Sequence, residues 1–530
     1  MLKSTKVVYS RDISNDYNVK INEIDVDVFI TRVSKMPFNR DWPNKQRALS
    51  QTELASVISF TSDEKVEIEV KPNKKFSEVA IRPLSDNVEF KVVNDIIYFT
   101  LQKPGQYVLE LDGIHNPLFI FFDPFKDYSS FKKDKNLLYF GEGVHYPGEI
   151  KIKNNQTIFI DRNAVVYGSI VGVGVKNVKI IGNGILDGNW EDRTNNNFIF
   201  PFDFSRVYEE LWGAVNHVFS IKPNLNLLPP SKKPYVPGSG TKLYRNKKQF
   251  NKFLSDMLIL KSGIHLYKCE NVVIDGIIMN GVAGLSNTIV GSNNVHYDNV
   301  KVIGMWKHNN DGIDFYNCHD CSVKNTFIRA FDDCICMKGQ LGWDTENTYN
   351  MLVENCVVWT DWGHQLEIGV DTVAKKIYNI KYLDCDCLHP VFTPIDVACG
   401  TMAKVSDITF ENIRVEYSKY DQLYVVQKSD DDVYIERPGH VEVFSANVGN
   451  PLLWSGDNIA GEIDGVTLEN IKVLGDNDME FPGMWLKGFA ENNDIKNVKI
   501  KNITFNGKKI NDISKLKIKT NEFVQDITLN

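Results

Sequence analysis

Three carboxylates and a histidine lie at near-regular intervals in the middle of the chain. Asp311 sits in Asn309-Asn-Asp-Gly-Ile-Asp314, Asp332 and Asp333 are adjacent, and His364 follows Gly363. The steps are 22 residues (311 to 333) and 31 residues (333 to 364). If the backbone winds as a coil with one turn per step, these groups stack on neighbouring turns, where strands lie about 4.7–4.9 Å apart. Carboxylates gathered in one patch cannot all ionise freely, so at least one must keep its proton. A protonated acid, an ionised base and a nearby histidine are what hydrolysis of a glycosidic bond needs. Neighbouring strand residues point to opposite faces, so Asp332 and Asp333 can share a cleft only at a kink or turn. The plain alternative is that each Asp caps a turn, as Asp in Asn-Asp-Gly often does. That would account for Asp311 alone far better than for the whole set with His364.

A coil of the required kind is written into the surrounding sequence. Short runs repeat: Asn177-Val-Lys-Ile-Ile181, Asn271-Val-Val-Ile274, Asn294-Val-His-Tyr297, Cys321-Ser-Val-Lys-Asn325, Leu352-Val-Glu-Asn355, Tyr378-Asn-Ile-Lys-Tyr382, Ser406-Asp-Ile-Thr-Phe410, Gly465-Val-Thr-Leu468 and Asn497-Val-Lys-Ile500. Their central aliphatics at 272, 295, 323, 353, 380 and 408 give steps of 23, 28, 30, 27 and 28, and the gap of 58 from 408 to 466 reads as two turns. β-type sequence with this period implies a solenoid or a propeller. Asn-Val-x-Ile without Trp-Asp or kelch patterns selects a parallel β-helix, with asparagines stacked at its corners.

Residues 1–130 have another texture. Val66-Glu-Ile-Glu-Val70, Val88-Glu-Phe-Lys-Val92, Ile96–Leu101 and Tyr107–Leu111 alternate, with turn signals between them, and Leu118-Phe-Ile-Phe-Phe122 reads as a buried strand. The fold class is therefore all-β: a right-handed parallel β-helix over 131–530, preceded by a small N-terminal β-sandwich. Residues 192–258, rich in aromatics and proline, break the period as an insertion that walls a cleft or forms an interface. A smaller insertion, 419–460, carries Trp454.

Composition narrows the function. The formal net charge is −8 with no long basic run, which argues against nucleic acid as a partner. No apolar stretch reaches the roughly 18 residues of a membrane span. Eight of the nine cysteines lie between Cys318 and Cys399. Several are spaced i, i+2 (Cys334/Cys336, Cys385/Cys387), which suits reduced thiols filling a coil interior. Cys318 and Cys321 form a Cys-x-x-Cys, but no second such motif completes a zinc site. No metal and no cofactor is expected. Reduced thiols, and an N-terminus without signal-peptide features, lead to a cytoplasmic expectation. A homo-oligomer is compatible with the sequence.

The motifs Asn309-Asn-Asp-Gly-Ile-Asp314, Phe331-Asp-Asp-Cys-Ile335 and Gly363-His364, followed by Lys338-Gly339 and Ile368-Gly369, resemble the signature of glycoside hydrolase family 28, the polygalacturonase-like enzymes. The resemblance runs over about residues 137–510. Family 49, the dextranase and isopullulanase family, is similar in fold and acidic trio and also carries an N-terminal β-sandwich. The resemblance implies Asp332 as general acid, Asp311 and Asp333 as the pair that activates water, and His364 as the histidine tuning the acid. It also implies inversion at the anomeric carbon.

Departures from the pattern concern substrate. Where polygalacturonases carry Arg-Ile-Lys, this chain reads Pro394-Ile-Asp-Val-Ala-Cys399, with Asp396 near the Arg position. A carboxylate there repels a uronate, so the sugar in the cleaved subsite is expected to be neutral, with Asp396 bonding its hydroxyls. Gln365 replaces the second Gly of Gly-His-Gly, and Glu367 replaces a Ser. Asn310, His308, Lys338, Gln365, Asp396, Trp306 and Trp362 are the candidate substrate-binding residues, the aromatics by stacking on sugar faces. The leading expectation is an inverting, exo-acting hydrolase of α-linked oligosaccharides. Three alternatives stay open. One is an exo-polygalacturonase-like enzyme using Lys307 or Lys338 as its basic residue. Another is a lyase or epimerase on the same fold, and the third a non-catalytic carbohydrate-binding β-helix.

Overall fold

The computed structural model describes residues 2–6, 12–36, 49–129, 131, 134–189, 263–307, 309–339, 346–423, 436–449 and 461–530. The 192–258 insertion, Trp454 and His308 lie outside the described residues.

The C-terminal unit is a right-handed parallel β-helix. One sheet stacks 12 strands in parallel, from Leu137–Phe140 to Ile527–Leu529. The other strands form two further parallel stacks that meet at a corner. Side-chain alternation explains the repeats. In the 12-stranded sheet Val272, Val295, Cys321, Met351, Ile380, Ile408, Val466 and Val498 pair in register and are buried in one continuous core. Their neighbours along each strand turn out to solvent, as a one-face-buried sheet requires.

The register corrects two readings of the period. Ile408 pairs directly with Val466, so the 58-residue gap is one turn lengthened by insertions rather than two turns. Val323 pairs with Tyr297 rather than Val295. That slip of two residues leaves the inward face unchanged, because strand parity has period two.

Asparagine ladders hold the corners, as expected. Asn177 donates to Asn155 at 2.9 Å and Asn271 to Asn177 at 2.7 Å. Farther along, Asn355 donates to Asn325 at 2.8 Å and Asn502 to Asn470 at 2.7 Å. These asparagines have φ between 51° and 58°, the left-handed region that Asn tolerates better than other residues with a Cβ. Eight cysteines belong to the interior core. Cys336 does not: Cys334 sits in a turn before the strand Ile335–Gly339 begins, so the i, i+2 rule fails for that pair.

The N-terminal unit is a sandwich of a six-stranded and a five-stranded sheet, its strands running from Lys3–Ser4 to Leu118–Asp123. Tyr17, Val19, Ile68 and Phe99 of the five-stranded sheet meet Phe60, Leu109, Ile120 and Phe122 of the other. The opposite face of the six-stranded sheet packs on the β-helix: Phe29, Val57, Phe119 and Phe121 join Ile278, Phe327, Trp359 and Leu388. Burial on both faces is why Leu118–Phe122 is apolar without alternation.

Buried charge accompanies this apolar seam. Arg82 bridges Glu110 (2.9 Å) and Glu416 (2.6 Å), while His389 bridges Glu110 (2.7 Å) and Asp421 (2.6 Å). Burial opposes a charge on His389, but Glu110 and Asp421 overcome it and push its pKa up to about 9. Burial likewise opposes ionisation of Glu110, yet Arg82 and His389 bring it down to about 2.

A raised histidine pKa stabilises fully below the unfolded value of about 6.5, and the contribution is lost as pH rises through about 9. Unfolding free energies of wild type and His389→Asn from urea titration should differ by roughly 3 kcal/mol near pH 6 and converge by pH 10. A gap that does not change with pH would refute the charged state of His389.

Candidate active site

The candidate residues occupy successive turns where one stack of strands gives way to the next. The strands Ile313–Tyr316, Ile335–Gly339, Leu366–Thr372 and Ile395–Cys399 lie side by side. Ile313, Ile335, Leu366 and Ile395 are in register, so Asp311, Asp333, His364 and Thr393, each two residues earlier, occupy equivalent places on four successive turns. Asp332 and Asp333 lie in a turn between Phe327–Ala330 and Ile335–Gly339. That turn frees them from strand alternation, the condition their adjacency demanded.

The turns are fixed by backbone groups and one hydroxyl. Gly312 N donates to Asp333 O at 2.7 Å and Cys334 N to His364 O at 2.8 Å. Thr360 Oγ1 donates to Asp332 O at 2.5 Å and accepts from Gly363 N at 2.9 Å. His364 N donates to Asp333 Oδ1 at 2.9 Å. A Cβ at Gly363 would stand 2.4 Å from that same oxygen and from Asp333 N, so glycine is what lets the histidine turn approach the carboxylate.

Lys338 is the electrostatic hub. Its buried ammonium lies 2.9 Å from Asp314, 3.2 Å from Asp311 and 3.4 Å from Asp333. Burial opposes ionisation of Asp333, but Lys338, His364 and hydrogen bonds hold its pKa below the ordinary carboxylate range. Asp311 goes the other way: burial and then Asp314 push it well up, against the pull of Lys338. The environment thus pulls the two carboxyls apart, Asp333 downward and Asp311 upward, which places the raised pKa on a residue assigned to the water-activating pair. Asp332 is 9% exposed.

Beneath these turns runs a second row that the motif reading left largely unused. Asp314, Cys336, Glu367, Asp396 and Ser445 are consecutive partners across the strands, and all are buried. Each of the first four lies three residues after a stacked position (311, 333, 364, 393), a spacing present in the sequence. Cys336 donates to Glu367 at 3.1 Å. Burial and then Asp333 drive Glu367 well above the ordinary range, and its carboxyl hydrogen-bonds Asp333.

His364 Nδ1 donates to Thr393 O at 2.8 Å, and its Nε2 lies 4.0 Å from Asp396. Burial lowers the His364 pKa, but Asp396 and Asp333 together raise it. The ligand atoms of Asp333, Cys336 and Glu367, and those of His364, Glu367 and Asp396, each fall within 4.8 Å of one another. Those distances would suit a cation, although Lys338 and His364 already bring positive charge to the same place.

Several candidate binding residues have other work. Gln365 points inward and donates to Val358 O and Leu388 O at 3.0 and 2.7 Å. Asn310 is fully buried, bonded to Val282 O, Gly284 O and Lys307 N. Both are turned away from substrate because buried backbone groups must find partners. Lys338 is engaged by its three carboxylates. Asp396 accepts from Ser445 and faces His364, so it acts on the cluster through the histidine. Trp362 is half-buried and meets Phe392 edge-on at 5.5 Å. Trp306 lines a cavity at the domain seam.

The model for glycosyl hydrolases family 28 matches residues 235–448, the stretch holding every residue of the cluster. Probable exopolygalacturonase B of Aspergillus terreus is 26% identical over 203 residues, 34% of this chain and 44% of that protein. Its counterpart in Emericella nidulans is 25% identical over 215 residues, 35% and 46% of the two chains. The match spans less than half the length of these curated relatives. Dex49A from Penicillium minioluteum aligns over 99% of this chain and 96% of its own, with a TM-score of 0.61 at 12% identity. That is a likeness of fold, and it extends through the N-terminal unit. The resemblance to family 28 carried by the motifs is borne out.

Lys338→Met would strand three carboxylates. Removing one partner of a buried ion pair costs about 3–5 kcal/mol. Because the Asp333 pKa is lowered, the penalty should be full above about pH 4 and fade as pH falls below the ordinary value of about 3.9. Urea unfolding at pH 7 and at pH 3.5 checks this; equal stability of variant and wild type at pH 7 would show that Lys338 does not hold the cluster.

Proposed function

We propose that this chain is a glycoside hydrolase that cleaves O-glycosyl bonds of α-linked oligosaccharides with inversion, from the chain end, at an uncharged sugar. The observation that carries the reading is the meeting of Asp311, Asp332, Asp333 and His364 on three successive turns, with Asp333 kept ionised by Lys338. In this mechanism the Asp332 carboxyl gives its proton to the glycosidic oxygen as the C1–O bond breaks. Asp333, held down by Lys338, takes a proton from a water that Asp311 helps to position, and the oxygen of that water attacks C1 from the opposite face. The products are a hemiacetal of inverted configuration and the released alcohol, and water then returns the proton to Asp332. His364, held by Thr393 and Asp396, tunes the acid. Inverting enzymes separate acid and base by about 6.5–9.5 Å, against about 5–5.5 Å in retaining ones.

The preference for an uncharged ring rests on the buried row. Asp314, Glu367 and Asp396 place acids beneath the cleft, and Lys338 is committed to three of the carboxylates. A second reading, release of galacturonate, is favoured by the exopolygalacturonase relatives. Burial raises both Glu367 and Asp396, and protonated carboxyls there could donate to a uronate. A cytoplasmic location belongs to the same proposal. All nine cysteines are free and buried, a state that a reducing compartment maintains.

Three measurements test the proposal. Hydrolysis of neutral and galacturonate α-linked oligosaccharides, side by side, should favour the neutral series; efficient galacturonate release would transfer the conclusion to the second reading. Asp332→Asn should lower turnover by about 10²–10⁴ with an unchanged melting temperature. Proton NMR of the first product, read before mutarotation, should show the β anomer, and an initial α anomer would remove the inverting roles of Asp311 and Asp333.

A further inference from the structure

A cavity of about 290 Å³ lies at the seam between the two units, just ahead of the site along the helix axis. Its β-helix wall carries Asp187, Asn280 and Trp306, and its sandwich wall carries Asp12, Thr31 and Arg32. Asp187 and Asn280 are paired on consecutive turns. Trp306 follows on the turn that ends in Asp311, and Asn310 ties that loop together by accepting from Lys307 N at 2.8 Å. The cavity therefore sits about one to three strand spacings, roughly 5–15 Å, from Asp332.

The walls are built to present polar groups. Thr31 Oγ1 donates across the seam to Asn280 Oδ1 at 2.7 Å, and Asn280 Nδ2 donates to Asp187 Oδ2 at 2.8 Å. Asn189 N donates to Asp187 Oδ1 at 2.8 Å. The Asn189 side chain also bonds Asp187, which leaves one of the roughly four acceptor sites of its carboxylate for a ligand, and Asp187 is 6% exposed. Arg32 spends Nη1 on Thr52 at 2.7 Å, and its guanidinium has five N–H donors in all. The indole of Trp306, 8% exposed, lines the cavity with these acceptors and the guanidinium, a combination that suits a sugar ring, whose apolar face meets the aromatic while its hydroxyls pair. The volume is near the lower end of the roughly 300–1,000 Å³ usual for small-molecule sites, which favour domain seams.

We propose that this cavity is a saccharide subsite shared by the sandwich and the β-helix, binding a neutral sugar ring of the same oligosaccharide away from the cleaved bond. The inference rests on the glycosidase reading above. It gives the N-terminal unit a part in substrate selection, by chain length, in addition to its packing on the helix.

The test uses the full chain carrying Asp332→Asn, so that saccharides bind without turnover. Calorimetry with α-linked gluco-oligosaccharides of two to six units should show a step in affinity when the chain becomes long enough to enter the cavity. Adding Arg32→Met, a change on the sandwich side, should reduce that step at least tenfold, and Trp306→Ala should do the same, with melting curves confirming that both variants fold. An affinity ladder that neither change alters, or that has no step, overturns the subsite while leaving the glycosidase reading intact. If no gluco-oligosaccharide binds, and the wild type hydrolyses neither the neutral nor the galacturonate series, the glycosidase reading falls and the subsite with it. Hydrolysis of galacturonate chains alone overturns the neutral-sugar subsite.

Discussion

The ammonium of Lys338, buried among Asp311, Asp314 and Asp333, is the interaction on which the rest of the site depends. A charge taken out of water is costly unless it is paired and hydrogen-bonded. One fixed cation cannot neutralise this many acids, so the cluster must hold protons as well. Burial drives the pKa values of Asp311 and Glu367 up, while Lys338 and His364 keep that of Asp333 down. Acids and bases are thus separated among chemically similar side chains by environment alone, the arrangement acid–base chemistry needs.

The β-helix supplies the precision. Residues 22 and 31 positions apart become neighbours because each turn repeats the one below it, and backbone bonds such as Cys334 N to His364 O fix their height. The strands that bear the buried row are paired on both sides, and the turns that bear the reacting groups are held to them through Thr360 and Gly363. The sandwich closes one flank. Its apolar face and the Arg82–Glu110–His389–Glu416 network make it part of the same solid body, so its Arg32 edge has a fixed position beside the cleft.

Much of this was readable from the chain. The Asn-Val-x-Ile repeats carried the β-helix because inward aliphatics must recur once per turn, and the corner asparagines were visible because few other side chains accept a left-handed backbone. The acidic trio and His364 stood out because their spacing matched the repeat. Where the period was stretched the reading failed. The single turn between Ile408 and Val466 carries insertions, and a count of residues cannot distinguish a long loop from an additional turn.

Residue types and spacing determined the fold class, the two-unit organisation and the four residues that meet. Only the tertiary structure decided what the surrounding polar residues do. Gln365 and Asn310 look like substrate ligands in sequence, yet both are consumed by buried backbone groups. Lys338 looks like a basic handle for substrate and is instead the counter-ion of the cluster. Glu367 stood in the sequence as a departure bearing on substrate, and its carboxyl instead hydrogen-bonds Asp333. The reason is that orientation and ionisation depend on burial and on partners from other turns, and those exist only once the coil has closed.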